Sequence, residues 1–429
     1  MKKKFTIATV VSLSMVPMLM PSQEASALPV FARKYGTSCY TCHAGMPARN
    51  AFGEAFRNNG YRWPGGEDEE KSKQEQTKLG SDGWKKTFPE SPWPADIPGF
   101  APFAIYLTGP LVNYTEATTA TKGTAAQILA NSKKSTFNWN GPVDARILFG
   151  GTVGNNLGIL GAFEGFSSGK TVTNLRATWS FAPGINLGLG NGFSAFSGNT
   201  WTNSIYSTVF PASGTSVELN YIPSNKLAII AGTATALKDA SGGSVGSANK
   251  IDDTRYLRLK YKPVGAGLLN GSGGTYGNEF VGLDNSISFG ASVVGVRGNS
   301  IYGTSLVPTS QWFGESVVYG ADVSGNYGSF SAGAAYSRDR DLKLNNFAVD
   351  AGYFVYPWLL ARVKYTELQG TGIYRTNQFW SPSLTAWLRA NVSLSAAGKV
   401  YSRHTSPATN NTYGVNNADT FTITAGVAF

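Results

Sequence analysis

The sequence predicts a mainly-β chain: a transmembrane antiparallel β-barrel of about 16 strands, preceded by a small N-terminal α-helical domain. Three observations predict it. Residues 100–429 run as segments of about ten residues that alternate apolar and polar side chains between turn residues, the pattern of strands with one lipid face and one lumen face. Only 14% of the 429 residues are charged, while 13% are aromatic and 51 are glycine; a soluble protein carries about 25% charged residues. The only two cysteines, Cys39 and Cys42, stand near the N-terminus directly ahead of His43. The low charge argues against a soluble enzyme with a charged shell and against disorder. Two histidines in the chain leave little room for histidine-based hydrolysis or a multi-histidine metal centre.

The first 27 residues have the form of a secretion signal. Lys2, Lys3 and Lys4 precede an apolar run from Phe5 to Met20, Pro21 breaks it, and Ala25-Ser26-Ala27 offers the small residues of a cleavage site. The run is shorter than the ~20 residues a membrane-spanning helix needs. Cleavage after Ala27 removes three lysines and Glu24, which lowers the formal charge from +10 to +8.

Residues 28–63 form the predicted helical domain. Cys39-Tyr40-Thr41-Cys42-His43 is C-x-x-C-H, the attachment site of a c-type haem. Two thiols add across the haem vinyl groups, and the adjoining imidazole serves as proximal ligand to the iron. One c-type haem bound by Cys39, Cys42 and His43 is therefore expected; a disulfide or a thioredoxin-like C-x-x-C is the competing reading. After the motif, Pro47 suits a first helical position and Asn59-Gly60 a helix stop. Between them Ala51, Phe52, Ala55 and Phe56 share one helix face. About 40 residues cannot build a sufficient core alone, so Phe52 and Phe56 are expected to pack on the porphyrin.

The far side of the iron has few candidates. Apart from His43 the mature chain has one histidine, His404, and one methionine, Met46. Met46 lies too close to His43 in sequence to reach the far side easily. The sixth position falls to His404, to a lysine or weaker ligand, or to water.

Residues 64–99 read as a linker. Glu67-Asp68-Glu69-Glu70 and nearby lysines give way to Pro89, Pro92, Pro94 and Pro98, a stiff extended connector.

In the barrel segment, Val143, Ala145, Ile147 and Phe149 alternate with Asp144, Arg146 and Leu148. Leu175, Ala177, Trp179 and Phe181 alternate with Arg176, Thr178 and Ser180, and Leu359, Ala361, Val363 and Tyr365 with Leu360, Arg362 and Lys364. The last segment alternates from Phe421 to the terminal Phe429. A soluble sandwich shows the same alternation. Export, the terminal aromatic and the cluster Tyr353, Phe354, Tyr356, Trp358 and Tyr365, placed like an interface girdle, favour the membrane. Short breaks at Gly154-Asn155 and Tyr356-Pro357 read as periplasmic turns. The stretches 116–136, 240–252, 266–282, 298–314 and 404–418 read as external loops.

If the apolar residues face lipid, Arg146, Arg176, Arg258, Lys260, Lys262, Arg362 and Lys364 face the lumen, joined by Asp144. A barrel of this strand number is too wide for side chains alone to fill. Two arrangements are open. The haem domain sits in the lumen with its propionates held by these cations, notably Arg146, Arg176, Arg258 and Arg362, or the lumen is an anion-favouring pore with the haem domain outside.

The signal peptide, the single C-x-x-C-H and the C-terminal barrel resemble the fused outer-membrane monohaem cytochrome–porins of iron-oxidising bacteria. Phe31-Ala32-Arg33-Lys34-Tyr35-Gly36 before the motif, and Asn50-Ala51-Phe52-Gly53 with Asn59-Gly60-Tyr61 after it, are similar to that family's cytochrome segment. The resemblance implies a Gram-negative outer membrane, electron transfer from an extracellular donor such as Fe(II) to periplasmic carrier proteins, and a possible Fe(II)-oxidising activity. Outer-membrane lipid would surround the barrel, and a homotrimer is compatible with the class. Two other classes compete: a solute porin whose haem is sensory, and a peroxidase-like haem enzyme, for which His404 is the only distal histidine. Nucleic-acid binding is a poor reading, because the basic residues alternate along strands of an exported chain. Gly188-Leu189-Gly190 lacks the following helix of a phosphate loop.

Overall fold

The computed structural model describes residues 30–45, 48–64, 71–72, 76–77, 82–89, 97–99, 102–117, 125, 132–139, 144–164, 172–191, 215–234, 254–271, 277–278, 282–297, 315–340, 344–368, 377–389, 391–402 and 418–428. The signal segment, Met46, Pro47 and His404 lie outside them.

Antiparallel strands close into one barrel. In chain order they are β1 (Phe103–Thr115), β2 (Asp144–Val153), β3 (Leu157–Glu164), β4 (Val172–Ala182), β5 (Ile185–Asn191) and β6 (Thr215–Ser224). There follow β7 (Leu227–Ala234), β8 (Thr254–Val264), β9 (Ser286–Arg297), β10 (Glu315–Tyr327) and β11 (Phe330–Asp339). The wall ends with β12 (Leu344–Tyr356), β13 (Leu359–Leu368), β14 (Asn377–Arg389), β15 (Val392–Tyr401) and β16 (Thr420–Ala428). A short segment, Thr136–Trp139, pairs with Val112–Thr115 of β1 while β2 pairs with Phe103–Thr108, so the two share one place in the wall. The barrel thus has the 16 positions that the segment pattern predicts. β16 closes onto β1 with Ala428 opposite Tyr106, and no edge is left unpaired.

The alternation sorts as predicted. Trp179 is 45% exposed while its neighbours Thr178 and Ser180 are buried, and Tyr261 is 48% exposed beside buried Lys260 and Lys262. An exterior rich in Leu, Val, Phe, Tyr and Trp suits lipid; polar and charged residues line the inside. Phe354 departs from the girdle expected of it. It neighbours outward Tyr353 and therefore points inward, where it is 2% exposed.

One barrel end carries the tight turns. They lie at 154–156, 183–184, 225–226, 328–329 and 357–358 and between Arg389 and Val392; Gly154 (φ 56°) and Gly184 (φ 80°) take the left-handed conformation such turns need. The start of β1 and the end of β16 lie at this end too. The connection containing 266–282, expected among the external loops, joins β8 to β9 and leaves from the tight-turn end. Strand parity and not loop length decides the end.

The N-terminal segment holds α1 (Val30–Tyr35), a 3-10 turn (Cys39–Thr41), a short ladder of His43–Gly45 with Ala48–Arg49, and α2 (Ala51–Asn58). α2 begins at Ala51 and not at Pro47, because Asn50 caps it: its side chain accepts from Gly53 N at 2.9 Å. Gly60 (φ 73°) ends it as predicted. The 64–99 linker is not wholly extended. It contains α3 (Asp82–Thr87), whose first-turn Asp82 and last-turn Lys85 and Lys86 complement the helix dipole. Gln76–Thr77 also pairs with Ile97–Pro98.

Candidate functional site

The N-terminal segment makes many contacts on the inner face of the wall. Lys34 Nζ donates to Thr152 Oγ1 of β2 at 2.6 Å, and the Phe31 ring lies against Gly150 of the same strand. Gly60 lies against Gly158 of β3, Ser180 of β4 and Asn186 of β5. Glu54 pairs with Lys260 of β8. Ala44 packs in a buried cluster with Leu283, Phe354 of β12, Leu360 of β13 and Trp387 of β14. A body that touches the lumen face of strands all round a closed barrel lies within it, and these residues sit toward the tight-turn end. The described part of the β8–β9 connection packs against the same body. Leu268 and Leu269 carbonyls accept from Asn58 and Asn59 Nδ2, each at 2.9 Å.

Inside this segment the C-x-x-C-H residues are held by Asn50. Its Nδ2 donates to the carbonyls of Tyr40 and Thr41 at 2.9 and 3.1 Å, and its backbone N–H donates to the Cys42 carbonyl at 3.0 Å. Gly53 has no Cβ because the Cys42 carbonyl occupies that space. One asparagine thus caps α2 and clamps the motif against it, a role that four similar residues in a sequence could not disclose.

Cys39, Cys42 and His43 border a cavity of about 420 Å³. Its walls include Phe31, Tyr35, Phe52, Phe56, Tyr61 and Trp63 from the segment, and Leu148 and Leu160 from the barrel. The rings interlock: Tyr35–Trp63 centroids are 5.1 Å apart and Phe52–Trp63 4.8 Å. Both predicted packing residues, Phe52 and Phe56, line it. The two cysteines are free thiols. Burial pushes both thiol pKa values up, Cys42 to about 12 with help from Cys39. Protonated thiols are poor exchange nucleophiles, which argues against thioredoxin-like chemistry. A large aromatic cavity with two thiols and an imidazole on one wall fits a flat apolar macrocycle, and its volume lies in the usual ligand range of roughly 300–1,000 Å³.

The predicted lumen cations do point inward, and six of the seven are seen in an ion pair with a carboxylate. Arg146 pairs with Asp144 at 2.6 Å, Arg176 with Glu218 at 2.6 Å, Arg258 with Asp322 at 2.7 Å and Lys262 with Asp284 at 2.8 Å. Arg362 pairs with Asp350 and Lys260 with Glu54. Buried charges are costly unless paired, so the lumen neutralises them internally. Arg146, Arg176, Arg258 and Arg362 are also absent from the lining of the C-x-x-C-H cavity. The cations that do line it, Arg49 and Arg57, were missed because a basic residue beside a short helix reads as surface charge. Alternation would have flagged Asp322 and Asp350 as inward; nothing marked Glu54.

Fold and cavity together define a closed β-barrel with its own N-terminal segment packed in the lumen around a thiol–imidazole cavity. No family model and no curated protein matches the chain. Among solved structures, it is similar to in-vitro folded OmpT, an outer membrane protein of Vibrio cholerae (14% identity, 76% of this chain and 99% of that one, TM-score 0.42). Similar too are OprB of Pseudomonas putida (8%, 76% and 94%, 0.47) and an anion-selective porin from Comamonas acidovorans (12%, 76% and 99%, 0.45). The assignment of a closed barrel rests on the strand pairing itself.

Proposed function

We propose that the chain is an outer-membrane electron-transfer protein that holds one c-type haem inside its barrel. The single observation that carries this reading is the C-x-x-C-H cavity enclosed between the N-terminal segment and the inner wall. Cys39 and Cys42 would hold the group by thioethers and His43 would ligate its iron. When bound, the haem supplies a one-electron couple. The chain supplies the rest: Phe52, Phe56, Tyr35 and Trp63 give the cavity apolar walls, the Asn50 clamp fixes the motif, and the barrel would carry the site into the membrane. By resemblance, the donor is extracellular Fe(II), which would give up one electron, and the acceptor is a periplasmic carrier protein.

The test uses the full-length protein made in a host that attaches c-type haem. Covalent haem on denaturing gels, lost in Cys39→Ser/Cys42→Ser, is expected, followed by reduction of the haem bands by Fe(II). Protein without covalent haem would end this reading, whereas haem that Fe(II) never reduces would leave electron transfer with another donor.

A second reading, a solute pore, is favoured by the strand count, since 16-stranded barrels leave room for an aqueous channel. Steady solute conductance through the haem-loaded protein, without electron transfer across vesicles, would support it.

A further inference from the structure

We propose that Arg49 and Arg57 form the anion-binding end of the C-x-x-C-H cavity and take the two propionate carboxylates of the haem. The inference rests on the haem reading above and assigns a role to residues of this chain that the motif does not name. Arg49 is the cross-strand partner of His43 in the short ladder. Side chains opposite one another in a ladder share a face, which puts the guanidinium beside the imidazole on the cavity wall. Its Nε is buried and has no hydrogen-bond partner. Arg57, one helical turn past Gly53 on α2, lines the same cavity. Arg57 repels the Arg49 charge, and the Glu54 carboxylate that attracts it is itself held by Lys260. Two guanidiniums on the lining of a largely apolar cavity, one with a buried donor left unbonded, offer a place for an anion. A dicarboxylate edge suits that place, because guanidinium forks bind carboxylates by paired charge-assisted bonds. Arg146, Arg176, Arg258 and Arg362 do not compete for this role, since each is matched to a barrel carboxylate.

The test is the haem midpoint potential, measured by spectroelectrochemistry on full-length holoprotein in detergent. A cation near the iron stabilises the reduced state, so Arg49→Gln and Arg57→Gln should each lower the midpoint. The expected fall is about tenfold in the reduction equilibrium, or about 59 mV for one electron. Arg49→Lys, which keeps the charge, should recover most of the shift. Unchanged potentials in both glutamine variants at full haem content would overturn the proposal. If the glutamine variants fail to load haem, Arg49→Lys and Arg57→Lys decide it: both must load haem with midpoints near wild type, and failure of these charge-keeping variants to load would count against the proposal. Haem-free Cys39→Ser/Cys42→Ser protein, titrated with inorganic phosphate, separates the other source of the same chemistry: Arg49-dependent phosphate binding alongside unmoved potentials would assign the site to a free anion instead. Wild-type protein without covalent haem would sink the underlying reading and not this assignment alone.

Discussion

The Glu54 carboxylate of α2 accepts a hydrogen bond from Lys260 Nζ of β8, and both side chains are at most 10% exposed. The two residues are 206 positions apart in the chain. This pair fastens the N-terminal segment to the barrel wall. Burial opposes the Glu54 charge, but Lys260 and Lys262 beside it prevail and hold its pKa at about 2, below the ordinary 4.5.

The pH dependence of docking follows from that depressed value. A carboxylate with a lowered folded-state pKa stabilises the fold above its unfolded pKa and loses the contribution as pH falls through the folded one. Docking should be firm above about pH 4.5 and weaken toward about pH 2. Glu54→Gln removes one partner of a buried pair, a loss of about 3–5 kcal/mol, and should flatten this acid response. Protease sensitivity of residues 30–64 across pH reads both effects; an unchanged acid profile in Glu54→Gln would show that another group holds the segment.

Gly158 of β3 tests whether docking depends on close backbone approach. A side chain there would collide with the Gly60 carbonyl, and overpacking of a tight contact costs about 1–3 kcal/mol or more. Gly158→Val should leave the barrel folded, judged by its heat-resistant gel mobility, but expel the segment and raise conductance in planar bilayers. Wild-type conductance would mean that the segment can shift to accommodate the methyl groups.

Gly53→Ala addresses the motif clamp. Its new Cβ would overlap the Cys42 carbonyl, and neither is the end of a flexible side chain. Covalent haem content should fall severalfold while barrel assembly is unaffected. Full haem loading would contradict the clamp as described.

Arg258 and Asp322 form a deeply enclosed barrel pair, at 1% and 5% side-chain exposure. Asp322→Asn strands the Arg258 charge and should destabilise the barrel by about 3–5 kcal/mol, whereas Arg258→Met with Asp322→Leu should be near neutral. Thermal loss of the folded gel form distinguishes the two, and equal damage from both variants would assign the residues a role beyond mutual neutralisation.

Much of this architecture was legible before any coordinates. Period-two alternation reports which face of a strand meets lipid, because a one-residue slip would put every charge in the membrane; Arg176 and Trp179 therefore sort correctly from sequence. The C-x-x-C-H motif is equally local, since its chemistry depends on five consecutive residues. Phe354 was misassigned because aromatic clustering was weighed above strand parity, and α3 was missed within a stretch judged by its prolines.

What the chain alone determined was therefore whatever depends on neighbours in sequence: the strand faces, the strand number and the thiol–imidazole motif. Tertiary structure decided which charges meet. Glu54 finds Lys260 and Arg258 finds Asp322 only when the barrel closes around its own N-terminal segment. Partner choice among buried charges is set by three-dimensional proximity and desolvation, and neither has a signature in local spacing.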